Sequence, residues 1–275
     1  MKGNMLSYIK ENSPIHNLTG ATKLICFLFW SIAAMLTYDT RILLAMFFIG
    51  LIFFKISKVK FNQVAFVIYF ILFFLMLNNI AIFIFSPLQG VSIYGARHNL
   101  FHIAGSYYLT LEQLFYQFNV TLKYFTVIPT ALLFIITTNP SEFAASLNKI
   151  GVSYRIAYAV SIALRYIPDI QRDYQDISFA QQARGIDMSK KVNLFTRLQN
   201  SALILIPLIF SSLDRIETIS SAMELRGFGS NNKRTWYSSR PFVKKDFAAI
   251  ALIIIILVTS ILVTFVFGNR FYNPF

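Results

Sequence analysis

Apolar runs occupy Leu24–Tyr38, Ile42–Ile56, Val64–Phe85, Phe118–Thr138 and Phe247–Phe267, separated by polar or basic segments. A helix needs about 20 apolar residues to cross the hydrocarbon of a bilayer. The last three runs meet that length. The first two, about 22 Å each at ~1.5 Å per residue, fall short and are expected to tilt or to recruit flanking residues. Thr37–Arg41 reads as a tight turn between them. Pro129 is expected to kink the fourth run, and Lys123 to snorkel from its outer end. Ser86–Gln117, with Pro87, Gly90, Gly95 and Gly105, reads as an external loop that includes a short interfacial helix near Leu109–Gln117.

Asn139–Lys245 departs from this pattern. Asn139-Pro140-Ser141 breaks the chain and starts a short helix that Gly151 ends. A long helix is predicted from about Tyr154 to Arg184 and another from about Val192 to Arg226. Both are apolar early and polar late, and each carries an Ile-Pro step, Ile167-Pro168 and Ile206-Pro207, where a kink is expected. Such helices are too polar to span and are expected to lie at the cytoplasmic leaflet with their C-terminal ends in the cytosol. The organisation is therefore 1–138, an N-terminal membrane part of about four spans; 139–245, a cytoplasmic helical region; and 246–275, a last span and tail.

Charge sets the orientation. The segment Asn139–Lys245 holds 15 of the 25 Lys and Arg, and Lys2, Lys10, Lys23, Lys55, Lys58 and Lys60 flank the first two runs on the same side. The opposite side carries only Arg41, Arg97 and Arg270. The positive-inside rule then predicts a cytoplasmic N-terminus, five spans and an external C-terminus. A net charge of +13 is therefore assigned to the membrane surface and not to nucleic acid, because the cations flank apolar runs. With 56% hydrophobic and 13% charged residues, the chain has a bilayer composition, and its one cysteine, Cys26, excludes an intrachain disulfide. The polar first 17 residues lack the apolar core of a cleavable signal peptide.

The two long helices close alike, on Ala183-Arg184-Gly185 and Leu225-Arg226-Gly227, 42 residues apart. Glycine after a helix is the commonest stop, and a cation in the last turn suits the helix dipole. One Arg-Gly therefore says little. Two on consecutive cytosolic helices suggest a paired partner, since a guanidinium on a rigid helix end fits a groove lined by carboxylates or carbonyls.

From these residues, the stretch Thr137–Gly229 resembles the transmembrane T component of energy-coupling factor (ECF) transporters. The hallmark of that family is a pair of Ala-Arg-Gly motifs ending two coupling helices. The first motif is intact here; the second keeps Arg226 and Gly227 with Leu225 in place of alanine. Thr138-Asn139-Pro140-Ser141-Glu142, Leu164-Arg165-Tyr166-Ile167-Pro168 and Ala222-Met223-Glu224 are similar as well. So are Ser13-Pro14-Ile15-His16-Asn17-Leu18 and Thr22-Lys23-Leu24, with Gly20 where a proline is usual. The resemblance implies an all-α integral membrane protein with about five transmembrane helices plus long cytoplasmic-side coupling helices, in a bacterial cell membrane. It implies a non-catalytic scaffold for vitamin or metal-ion uptake. Ala183, Arg184, Gly185, Leu225, Arg226 and Gly227 would dock two cytosolic ABC-type ATPases, a heterodimer in view of the unequal motifs. Pro168 and Pro207 would be the kinks of the coupling helices. The partners would bind ATP and Mg, and a small membrane S component would carry the substrate.

The remaining signals are weak. No Gly-x-x-x-x-Gly-Lys-Ser/Thr stretch is present, so ATP binding through a P-loop is not expected in this chain. His98 and His102 have the spacing of metal ligands on a helix face but no evident third ligand, and no metal site is expected. His16 reads as a cap or packing residue. Asp169, Asp173 and Asp176, interleaved with Arg165 and Arg172, read as a solvated helix face. A conventional permease with its own substrate path would place polar residues along its spans, where only Asn78 and Asn79 stand out. A membrane enzyme would need a nucleophile, base or metal cluster, and none is evident.

Overall fold

Thr19 opens the first helix, its hydroxyl accepting the Thr22 N–H at 3.4 Å. The computed structural model describes residues 13–59, 61–104, 107–186, 193–230, 235–237, 239–266 and 271–275. Lys2, Lys10, Lys60, Gly105 and Arg270, the Val192 start and the Phe267 end of predicted segments lie outside them. The helices in chain order are α1 (Gly20–Leu36), α2 (Thr40–Ile56), α3 (Phe61–Phe85) and α4 (Gln89–Tyr94). A hairpin follows, β1 (Asn99–Ala104) antiparallel to β2 (Tyr107–Thr110). Then come α5 (Leu111–Thr137), α6 (Pro140–Lys149), α7 (Tyr154–Ala183), α8 (Leu194–Leu225) and α9 (Lys244–Phe265). This is an all-α membrane protein apart from the hairpin. Residues 64–85, α5 and α9 are long and apolar enough to cross a bilayer. The helices α1 and α2, 17 residues each, lie at the lower end of the spanning range.

The chain divides into two compact units, Met1–Asn139 with Arg240–Phe275, and Pro140–Ser239. In the first unit, side-chain hydrogen bonds give the helix directions. Against α9, α1 makes pairs with a constant offset of 227 residues: Thr19 N to Asp246 Oδ1 at 2.9 Å, Ser260 Oγ to Ala33 O at 3.4 Å, and Thr264 Oγ1 to Thr37 Oγ1 at 2.8 Å. These two helices are parallel. Against α5, α1 is antiparallel: Lys23 Nζ donates to Thr137 O (2.7 Å), Trp30 Nε1 to Thr126 O (3.0 Å), and Lys123 Nζ to Met35 O (2.9 Å). Each lysine meets a carbonyl in the last turn of the other helix, where carbonyls lack helical partners and a cation suits the dipole. The pair is thus clamped reciprocally at both ends. Asn79 to Thr121 (3.0 Å) and Val64 packed with Leu132 and Ile136 set α3 antiparallel to α5. Thr40 to Asn119 (2.7 Å), with Gly50 close to Thr126, sets α2 parallel to it. So α1, α3 and α9 run one way and α2 and α5 the other. The core lies where they meet: Trp30, Ala33, Ala34, Leu43, Met46, Leu122 and Ile253. On α3 the residues Phe66, Tyr69, Phe70 and Phe73, at i, i+3, i+4 and i+7, are all more than half exposed, as a lipid-facing stripe should be.

Three expectations are corrected here. Lys123 does not snorkel; it is 5% exposed, because the Met35 carbonyl and the Tyr38 ring, 3.4 Å from Nζ, satisfy it inside the unit. The short interfacial helix near Leu109–Gln117 does not exist as such. Leu109 is in β2, and Leu111–Gln117 are the first turns of α5, started by Thr110 accepting the Gln113 N–H at 3.2 Å. The loop before it contains α4 and the hairpin, whose pairing is long-range and leaves little local signal. Finally, His98 and His102 do not share a helix face. His98 precedes β1 and His102 lies within it, and His98 Nδ1 is 2.6 Å from Glu112. His16 packs as expected, with Nδ1 2.8 Å from Ser13 Oγ.

Candidate functional site

The Pro140–Ser239 unit holds the two Arg-Gly ends. Its three helices α6, α7 and α8 stop by one device. At α7, Arg184 is the last residue, Gly185 turns left-handed (φ 89°), the Gly185 N–H bonds to Gln182 O (3.0 Å) and the Ile186 N–H to Gln181 O (3.1 Å). At α8, Arg226 is followed by Gly227 (φ 64°), with Gly227 N–H to Glu224 O (2.8 Å) and Phe228 N–H to Met223 O (2.9 Å). This is the Schellman motif, in which only glycine takes the left-handed position without strain. Helix α6 stops identically: Gly151 has φ 103°, Val152 N–H bonds to Leu147 O (3.0 Å) and Gly151 N–H to Asn148 O (3.2 Å). Yet Ile150 stands where the other two have arginine. The stop therefore does not require the guanidinium.

Both arginines are exposed, as are Ala183 and Leu225, the latter at 90%. The tips thus present an apolar side chain beside a cation. Their placement follows from how α7 and α8 pack. Arg215 NH2 donates to Asp173 Oδ2 at 2.6 Å, Gln181 Nε2 to Leu203 O at 3.2 Å, and the Phe228 ring lies tilted against Tyr158 with centroids 4.7 Å apart. The helices are antiparallel, so the tips lie at opposite ends of the pair. Arg184 is level with about residue 202 of α8, some 36 Å from Arg226 along straight helices at ~1.5 Å per residue. Both helices run through their prolines, Pro168 and Pro207, as single elements.

Each tip has its own surroundings. Behind Arg226, Tyr154, Tyr158, Phe228 and Trp236 cluster within 4.7–6.1 Å, and Trp236 Nε1 donates to Asn148 Oδ1 at 3.1 Å. A cleft of about 220 Å³ beside it is lined by Tyr158, Arg165, Tyr166, Met223, Arg226 and Phe228 among others. Near the α7 tip, Gln181 makes the bond to α8 noted above. The carboxylates on α7 behave as a solvated face, with Asp169 3.6 Å from Arg172, except that Asp173 is drawn across to Arg215. That cross-helix pair and the aromatic cluster were not evident from the sequence, since both depend on the register of α7 against α8. Helix α8 also leaves an apolar face uncovered, with Leu198, Ile206, Ile209, Leu213 and Ile216 about half exposed or more. Among the described residues, no three His, Cys, Asp or Glu side chains group as metal ligands.

Residues 11–237 match the family described as cobalt transport protein, CbiQ. Among curated proteins, the chain is similar to the energy-coupling factor transporter transmembrane protein EcfT of Streptococcus equi subsp. equi, 31% identical over 90% of this chain and 92% of that one. It is similar to the protein of the same name from Lactococcus lactis subsp. cremoris, 27% identical over 94% and 97%. With that of Limosilactobacillus fermentum the identity is 32% over 49% of this chain, and the matched region spans about half of the relative, 53%.

Proposed function

This chain belongs to the CbiQ family and is a bacterial-type membrane component of an energy-coupling factor transporter, and from that premise we propose that it couples two ATPases to a substrate-binding membrane subunit. As a transport subunit it is not itself catalytic. ATP and Mg are bound by the ATPases, a heterodimer because the two tips differ (Ala183 against Leu225). The observation that carries the reading is the surplus arginine. Three helices share one glycine stop, but only the two longest add an exposed guanidinium, and those two guanidinia sit at opposite ends of an antiparallel pair. Tips that far apart suit two docking subunits side by side rather than one shared groove. The stiff pair, 30 and 32 residues long, conveys the closing of the ATPases, with Pro168 and Pro207 as the points of bending. The uncovered apolar face of α8 receives the S component, which brings the vitamin or metal ion. In this reading the tips face the cytosol, and the excess of Lys and Arg in Asn139–Lys245 and around the first two runs supports a cytoplasmic N-terminus.

The test is co-purification of the full chain, expressed in membranes with its ATPases and S component. Buried interface arginines cost about 2–4 kcal/mol when truncated, roughly 30-fold or more in affinity. Arg184→Glu and Arg226→Glu should each release one ATPase and abolish uptake, while Arg172→Glu on the same helix should not. ATPase recovery at wild-type levels from both tip variants would refute the assignment.

A further inference from the structure

The membrane unit contains a cavity that the coupling role does not use. It measures about 370 Å³ and lies between α1, α5 and α9, with Phe53 of α2 on one side. That is within the roughly 300–1,000 Å³ of small-molecule pockets. Its walls are apolar, with Phe27, Trp30, Leu133, Phe134, Leu252 and Ile253 prominent. Most polar groups on the wall are engaged internally, the exception being the buried Thr137 Oγ1. Lys23 Nζ donates to Thr137 O (2.7 Å) and His16 O (3.2 Å), Trp30 Nε1 to Thr126 O (3.0 Å), and Thr130 Oγ1 to Val127 O (2.7 Å). Cys26 Sγ sits 3.8 Å from Ala249 O. The cavity thus offers contact to hydrocarbon and little to a polar molecule.

Its rim is the opposite. At the rim end of α9 the wall is made by Ala248 and Ala249, one turn before Leu252 and Ile253, and their small side chains leave the space open. Lys244 and Lys245 precede them by four residues each, so they lie on the same faces one turn nearer the helix start. Both are exposed, and side chains on a helix lean toward its N-terminus, which carries these ammonium groups beyond the apolar span. Arg240 reaches the same corner, its guanidinium donating to the carbonyl of the cavity-lining Leu18 at 3.2 Å. An apolar slot with three cations at one rim is complementary to an anionic amphiphile.

We propose that this cavity holds an acyl chain of an anionic phospholipid of the bilayer, with its phosphate at Lys244, Lys245 and Arg240. Anionic headgroups attract cations placed at the membrane surface, and the acyl chain adds the apolar contact that distinguishes a site from a general surface attraction. The site uses residues of the membrane unit alone, so it stands or falls independently of ATPase docking.

Trp30, 2% exposed, lines the cavity, and the chain has one other tryptophan, Trp236. The full chain with Trp236→Phe, reconstituted in phosphatidylcholine vesicles, therefore reports on the site by fluorescence. A minor fraction of lipid with brominated acyl chains, which quench tryptophan, is added as phosphatidylglycerol or as phosphatidylcholine. Brominated phosphatidylglycerol should quench Trp30 the more strongly at equal fraction. Lys244→Gln with Lys245→Gln, both at exposed positions, should lower that preference on the order of tenfold. Ala249→Phe should remove it by filling the slot. Equal quenching by the two headgroups overturns the proposal, as does a preference that survives the lysine substitutions.

Discussion

Gly90 gives the sharpest test of how the external segment is built on the membrane unit. It sits in α4 against the start of α5, and its N–H donates to Gln113 Oε1 at 2.8 Å. A Cβ at this position would lie 2.3 Å from Glu112 O, 2.4 Å from its carbonyl carbon and 2.5 Å from Gln113 N. All three are backbone atoms, so no rotamer change relieves the clash. Ordinary contact begins near 3.5 Å, so Gly90→Ala must push α4 away by about 1 Å. That stretches the Gln113 bond beyond the ~3.2 Å limit for an N–H to oxygen hydrogen bond. Gln113 is 0% exposed and cannot turn to water. Overpacking costs about 1–3 kcal/mol and the unpaired buried amide another 1–3, for a total of about 2–6 kcal/mol. The control is Gly95→Ala. Gly95 has φ 72° with nothing within 4 Å of a Cβ, so only the left-handed backbone penalty applies, about 1–2 kcal/mol. Thermal unfolding of the detergent-solubilised chain should rank Gly90→Ala below Gly95→Ala, and both below wild type. Gln113→Ala should cost less in the Gly90→Ala background than alone, because its bond is already broken. Unfolding of Gly90→Ala at the wild-type temperature, or an equal cost of Gln113→Ala in both backgrounds, refutes this packing.

Other expectations follow from single contacts. Asp246, 1% exposed, accepts from Thr19 N (2.9 Å) and Val243 N (2.8 Å), so Asp246→Ala leaves the buried Thr19 donor unpaired and should cost about 1–3 kcal/mol in thermal unfolding. Lys123 is enclosed, so Lys123→Cys in a Cys26→Ala background should resist a membrane-impermeant maleimide; rapid labelling from either side of sealed vesicles would mean the side chain reaches water. Gly185→Ala has open space for its Cβ and should cost about 1–2 kcal/mol confined to the α7 tip. Measured by ATPase co-purification, it should weaken docking less than Arg184→Glu while leaving the unfolding temperature within a few degrees.

Much of the local architecture could be read from residue order. The apolar runs marked the membrane helices to within a few residues where a proline, a lysine or a capping hydroxyl bounded them. Asn139-Pro140-Ser141, Gly151, Gly185 and Gly227 marked the ends of α6, α7 and α8, because a left-handed stop is a property of the residue itself. The sequence places the start of α5 too late, since Leu111–Gln117 is polar enough to read as a separate interfacial helix and is joined to the span by the Thr110 cap and the packing of Glu112 and Gln113, both 0% exposed.

What the order of residues determined about this protein is thus its membrane character, its helix ends and the pair of Arg-Gly motifs, all of which arise from interactions within a few residues or from bulk polarity. Only the tertiary structure decided that Lys23 and Lys123 clamp α1 and α5 from both ends. It alone decided that Asp173 leaves its own helix face for Arg215, and that the two arginine tips point to opposite ends of one pair. These outcomes turn on the register and direction of helices distant in sequence. Register is set by the summed packing of many side chains, and no short stretch of chain encodes it.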